Sequence, residues 1–228
     1  MKQTLSNLLA SFSGTTPLFP LPDFVFFPQT AQPFQIFEAR YVEMVQDCQA
    51  GERMLTIPLL IESEGNGKTE APPFRPIATL GYLSDLQEVE GGKFNILVTG
   101  LVKVQIEEVE SEKPYRRGAV TPLTEFTQVT DEEHKRKSIL RLFQSILEQA
   151  EVTSNFEILQ GMDIPLQMLA HVIISALPIP AEEKQKMLEL QSLDLRIEIL
   201  LNFMESGLHT LDTLGPLESL VPTQPWWN

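Results

Sequence analysis

The sequence predicts an α+β protein: a β-rich first half with one inserted helix, followed by a C-terminal helical bundle. Three observations carry this. Eleven of the 17 prolines and nine of the 12 glycines lie at or before Pro122, and they cut the chain into apolar runs of strand length. Val102, Val104 and Ile106 alternate with Lys103, Gln105 and Glu107, the period of a half-exposed strand. From Thr130 onward the apolar period lengthens to that of a helix. The expected division is an N-terminal extension over 1–14, a β-rich unit over 15–125, a helical unit over 126–207 and a tail over 208–228.

Taken in order, Pro17–Pro22, Phe24–Pro28 and Pro33–Phe37 read as the first strands. Their prolines cannot donate to a ladder, which places them at edges, strand starts or bulges. Glu38–Ala50 is the inserted helix: Phe37, Tyr41, Met44, Val45 and Cys48 make an apolar stripe, and Gly51 stands at its C-terminal cap. Met54–Ile61 is another strand, broken or edged by Pro58, and residues 62–76 form a surface loop. Gly91-Gly92 reads as a two-residue hairpin turn between Glu90 and Lys93, and Gly100 as a bulge or bend in the strand that follows.

In the second half, Thr130-Asp131-Glu132-Glu133 reads as a capping box opening a helix that buries Ile139, Leu142, Phe143, Ile146, Leu147 and Ala150. A further helix starts near Asp163–Pro165 and carries Leu166, Leu169, Val172, Ile173 and Leu177. Pro178 and Pro180 separate it from Ala181–Leu190. The last long helix runs from Leu193 to about Glu205, with Gly207 behind it.

Composition excludes several functions. A net charge of −14 argues against a nucleic-acid reader, which needs Lys and Arg to neutralise phosphates. A single Cys makes no internal disulfide and no multi-cysteine metal site, and three scattered His residues add no metal centre. No apolar stretch reaches the ~20 residues of a membrane span, and the first residues lack an export signal, so the expectation is cytoplasmic. The acidity falls mostly on the helical half, as the solvated face of its helices.

Chemistry-bearing motifs are few. Gly67-Lys68-Thr69 looks like the end of a phosphate loop, but Glu62 stands where the first glycine belongs, and Pro72-Pro73 cannot open the required helix. Cys48 lies on the apolar stripe at the C-terminal end of its helix, the position of a buried thiol rather than a nucleophile. His171 lies between apolar residues and reads as a satisfied, partly buried side chain, while His134 and His209 read as surface residues. Nothing points to a cofactor, a metal or a catalytic constellation.

Residues 17–48 stand apart. PLFPLPDFVFFPQTAQPFQIFEARYVEMVQDC is a dense run of Phe and Pro feeding a helix through Glu38-x-Arg40-Tyr41. Glu38 can complement the helix dipole, and Arg40 can fork onto carbonyls or a carboxylate. The run resembles the N-terminal, substrate-binding domain of the ATP-dependent Lon proteases. That family opens LPLFPL, then a strand ending FPG, then LP-x-x-IFE-x-RY, and a helix ending near DC. Pro17–Leu21, Phe27, Pro28, Pro33, Ile36, Phe37, Glu38, Arg40, Tyr41, Asp47 and Cys48 match it. Gly81, the Gly91-Gly92-Lys93 hairpin, Gly100, Pro114-Tyr115 with Ala119 and Val120, and Leu177-Pro178 extend the likeness over about residues 15–205. Gln29, Gln32 and Ala39 depart from the family's Gly, Leu and Pro, and Val102-Lys103-Val104 replaces an Arg-Phe pair.

The resemblance implies a Lon-type, PUA-like pseudo-barrel ahead of the helical bundle. It also implies a non-catalytic protein that binds unfolded polypeptide, or a protease or chaperone partner, because the 228 residues hold neither the ATPase nor the protease module of a Lon protease. Alternatives are an assembly scaffold and an enzyme of unrecognised type. One face of the Phe24, Phe26, Phe27 strand must be core; the other is either an exposed aromatic patch suited to extended polypeptide, or all three rings are buried. Pro28, Glu38, Arg40 and Tyr41 are expected to be structural, bracing the helix start. Trp226 and Trp227 near the C-terminus are costly to leave in water, so they dock on the chain itself or on a partner, a second copy included.

Overall fold

The computed structural model describes residues 8–61, 72–150 and 156–214, and it divides into two units, 1–124 and 125–228. The β unit is organised by its longest hairpin. Strands β4 (Ile77–Val89) and β5 (Lys93–Val109) pair antiparallel across Glu90-Gly91-Gly92. The turn therefore has three residues rather than two, since Val89 lies opposite Lys93, and both glycines take positive φ, 83° and 69°.

Neither long strand is straight. Leu80 faces Val102 while Gly81 faces Gly100, so Leu101 is the extra residue of a bulge. The bend lets β5 serve two neighbours. Its first half also pairs with β2 (Ala31–Ile36), and its second half with β6 (Arg117–Pro122). On the far side of β4 lies β3 (Met54–Ile57), and outside β6 lies β1 (Thr15–Pro17).

The chain after β1 joins the two ends of this sheet. Leu18 donates its N–H to the Arg116 carbonyl beside β6, while Phe19 and Leu21 donate to Thr56 and Pro58 at β3. Isolated parallel bridges, Leu18 with Thr56 and Leu21 with Leu59, take the place of a continuous ladder. The result is a pseudo-barrel. The buried hydroxyls of Thr16 and Thr56 bond across this seam at 2.8 Å.

Two apolar clusters fill the unit. Helix α1 (Ala39–Ala50) lays Tyr41, Met44, Val45 and Cys48 against Phe19, Phe26, Ile36, Leu55, Ile57, Leu83, Phe94, Ile96 and Val98. Leu18, Met54, Leu80, Val104, Ile106 and Val120 form the second. Strand β3 is buried along its whole length because it supplies both clusters. Phe37 does not join the stripe expected of it: it precedes the helix and is 64% exposed. Gly51 does follow the helix, its N–H bonded to the Asp47 and Cys48 carbonyls, but its φ is −107°, and Arg53 takes the left-handed turn instead.

The second unit is helical: α2 (Glu132–Gln149), α3 (Phe156–Gly161), α4 (Leu166–Ala176), α5 (Ala181–Glu189) and α6 (Leu193–Leu214). The expected capping box does not form. Asp131 is the N-cap in a left-handed conformation without a side-chain cap bond, and the Thr130 N–H is held by Asp194 Oδ1 at 3.1 Å. Helix α6 runs nine residues past the expected Glu205, through Gly207, because one glycine only weakens a helix already held by buried Ile197, Leu200 and Met204. No described helix is long and apolar enough to cross a membrane.

Candidate functional site

The Phe- and Pro-rich segment is not a strand. Residues 24–27 have no ladder; Asp23 (φ 51°) and Gln29 (φ 63°) turn the chain at either end of the segment. Two of its carbonyls accept from side chains instead: Thr79 Oγ1 donates to Phe26 O at 2.5 Å, and Thr30 Oγ1 to Phe27 O at 2.7 Å. The Gln29 N–H bonds Gly100 O, and the Gly100 N–H bonds Thr30 O, each at 2.8 Å. A Cβ on Gly100 would collide with the Phe27 carbonyl oxygen, so the bulge glycine makes room for the segment.

This anchoring sets where the aromatic rings go. Phe26 and Phe27 are 2% and 0% exposed, which removes both from any aromatic surface patch; burial of the apolar rings in the core wins over their display. Phe24 is half-buried. It stacks on Phe26 with centroids 6.4 Å apart and meets Phe34 of β2 edge-on at 5.5 Å. Phe34 in turn meets Phe19, and Phe19 meets Tyr41 at 4.8 Å. Each such pair is worth about 0.5–1.5 kcal/mol beyond the area it buries. The ladder thus runs from the core outward, and its half-buried members are Phe24 and Phe34, with Leu21 packed against the same cluster. Phe34 was not singled out from sequence, and Phe37 was read as part of the helix stripe rather than as a surface ring. The alternation Phe34-x-Ile36 is the signal that places Phe34 over the core cluster and leaves Phe37 off it.

At the helix start, Arg40 forks onto Glu38 Oε2 through Nε (3.1 Å) and Nη2 (2.8 Å), and its guanidinium lies 4.6 Å from the Tyr41 ring centroid. Glu38 is the N-cap residue but makes no side-chain cap bond. Pro28 is buried, its Cα close to Gly100. Burial holds the Tyr41 hydroxyl above its ordinary range and pushes the Cys48 thiol up to about 12, where it is a poor nucleophile. The thiol donates to the Met54 carbonyl at 3.4 Å.

An open cleft of about 840 Å³ lies beside the helix start, lined by Arg40 and Glu108–Arg116. Its basic groups are already paired. Arg116 forks onto Glu108 at 2.6 Å, and Lys113 pairs with Asp47 (2.8 Å) and Glu43 (3.2 Å). The Tyr115 hydroxyl donates to Asp47 Oδ2 at 2.6 Å, tying this loop to α1. Bonds from Lys113 and Tyr115 hold the Asp47 carboxyl below its usual value.

In the helical unit, His171 and Arg196 are both fully buried and form one network. Arg196 donates to Met187 O, Leu190 O, Glu125 Oε1 and His171 Nε2, and Glu125 also accepts from Gln167. A guanidinium only donates, so the His171 ring accepts through Nε2 and carries its proton on Nδ1. Every contact of Arg196 is structural. His134 is exposed on α2, the side chain of His209 and both Trp226 and Trp227 lie outside the described residues, and so does Gly67-Lys68-Thr69.

A family model described as the ATP-dependent protease La (LON) substrate-binding domain matches residues 15–206. The chain belongs to this family. Lon proteases of Desulfosudis oleivorans and Cytophaga hutchinsonii are 24% and 23% identical over 196 and 223 residues, covering 81% and 93% of the chain. Those matches span only 23% and 26% of the two relatives, so the Lon-type domain corresponds to about a quarter of their length. Among solved structures, the N-terminal domain of Mycobacterium avium complex Lon protease superposes with a TM-score of 0.66 at 17% identity, covering 84% of this chain and 98% of that one. A Lon N-terminal domain protein from Xanthomonas campestris gives 0.60 at 17% identity, covering 83% and 98%. The Lon-type fold accounts for the division into a pseudo-barrel and helices, and the matched domain is the non-catalytic, substrate-binding part of the family.

Proposed function

We propose that this Lon-type domain binds unfolded or partly folded polypeptide through the half-exposed aromatic surface of its β unit, without catalysis of its own, in cytoplasmic protein quality control. The observation that carries the reading is the ring ladder that leaves Phe24 and Phe34 half-buried at its outer end, with Phe37 exposed directly after β2. Half-buried rings on a rigid core offer apolar contact at little ordering cost. Trp226 and Trp227 are a second apolar element for the same clients. Reduced, carboxymethylated α-lactalbumin is a suitable probe. A Phe24→Ser/Phe34→Ser variant that retains its circular dichroism should bind it at least about tenfold more weakly, the equivalent of one lost aromatic anchor. Equal binding by the two proteins overturns the reading.

A second reading, a scaffold that contacts a separate protease or chaperone, draws on Phe126, Leu195 and Ile199, apolar residues exposed on the helical unit. Light scattering of the chain with such a partner, and a Leu195→Asp/Ile199→Asp variant, separates it from client binding.

A further inference from the structure

We infer that the outer edge of β2 accepts a segment of client polypeptide as an added strand. The inference rests on the polypeptide-binding reading and specifies how the backbone takes part. Strand β2 pairs with β5 on one side, and among the described residues nothing pairs with its other edge. The register decides which groups that edge presents. Thr30 lies opposite Gly100 and accepts its N–H, so the bonded positions along this ladder are Thr30, Gln32, Phe34 and Ile36. The N–H and C=O groups of Ala31, Pro33 and Gln35 therefore point outward. Pro33 stands at an outward position, where its missing N–H removes nothing from the native ladder.

The outer edge thus offers two bonds at Ala31, two at Gln35 and one, from the carbonyl, at Pro33. A client strand can use all five. A second copy of β2 cannot. Paired antiparallel about Pro33, two copies make four bonds through their two Ala31–Gln35 pairs and none at the centre, where two prolines meet. Either neighbouring register that keeps the outward groups facing makes only two. Pro33 thereby disfavours self-association while leaving the edge open to another chain.

The occupant's chemistry follows from the side chains. Residues 29–36 contain no ionisable group, so a charged segment finds no counter-charge along the edge, in a chain whose net charge is already −14. Phe34 lies at a position not bonded to the added strand, where facing side chains approach most closely. Its half-buried ring, with Phe24 against it, selects an apolar side chain there. The fitting ligand is an extended, uncharged segment with apolar side chains at every second position.

Backbone N-methylation tests this without altering the protein. A fluorescent, uncharged decapeptide alternating Val and Thr is titrated against the full chain, then repeated with each residue N-methylated in turn. Strand addition predicts a period of two: methylation at one alternate set weakens binding at least about fivefold per lost bond, and at the other set leaves it within about twofold. A Gln35→Pro variant, which deletes one outward donor and no inner bond, should lose a similar factor with its melting temperature nearly unchanged. Binding with no such period overturns strand addition and leaves the aromatic reading standing. No binding of any of the peptides overturns both, and a concentration-dependent dimer that peptide dissolves assigns the edge to a second copy and overturns the inference as well.

Discussion

Gln29 occupies a backbone position that suits glycine. Its φ of 63° lies in the left-handed region, where a Cβ crowds the following carbonyl, and its Oε1 is buried without a partner. The FPG pattern that this run resembles places its glycine here. Gln29→Gly should raise stability by about 1 kcal/mol, as strain relief exceeds the added entropy of the unfolded chain, read as a higher urea midpoint at constant m-value. Asp47 makes the opposite kind of contribution. Its carboxyl is held low by Lys113 and Tyr115, so its stabilisation is present above the ordinary carboxylate pKa and is lost as pH falls through the lowered folded value. Because the side chain is more than a third exposed, solvent screening keeps the gain small. Lys113→Met should move the Asp47 carbon resonances to titrate nearer the ordinary range, with little change in melting temperature at neutral pH.

At the scale of elements, the bulge in β5 is the feature on which the aromatic segment depends. Gly100→Ala would drive a methyl into the Phe27 carbonyl, and the expected cost is about 2–4 kcal/mol by denaturant titration, with loss of the near-ultraviolet aromatic signal. The glycine was legible as a bend because it interrupts an otherwise alternating run. Its partner was not, because Phe24–Pro28 reads as a strand. Apolar density suits a strand and a buried coil alike, and hydroxyls from Thr79 and Thr30, one of them 53 residues away from its acceptor, decide between them. The same limit explains Thr130: Asp194, 64 residues away, competes for the N–H a local capping box would have used. Helix stripes survived better, because Tyr41, Met44, Val45 and Cys48 bury a face regardless of what covers it.

For the whole molecule, the two units hold together by different means. The β unit relies on two apolar clusters, whereas the helical unit buries a guanidinium with four hydrogen bonds, drawing α4, α5, α6 and the Glu125 segment together through Arg196. Arg196→Met leaves Glu125 without its cation and should cost the helical unit roughly 3–5 kcal/mol. Hydrogen exchange should accelerate across residues 166–204 and stay unchanged in β3–β5, and uniform acceleration would contradict it. Family membership was readable from one dense string, residues 17–48. The binding surface was only partly so: Phe24 was singled out and lies at the ladder's outer end, but Phe26 and Phe27 went into the core, since alternation names two faces without saying which is covered.

The seam of the pseudo-barrel also has a consequence for biosynthesis. Thr15 lies opposite Ala119, and Leu18 donates to Arg116, so the first strand of the unit completes its bonds only with the last one. Until β6 has emerged, Phe19 can join the rings of the first cluster, but Leu18 lacks both the Arg116 carbonyl and the Val120 side of its own cluster. The β1–β6 pairing spans about 100 residues, and contacts of that separation slow folding more than they lower stability. A nascent chain of this protein therefore leaves the Leu18 side of its second apolar cluster uncovered until the last strand of its β unit has been made.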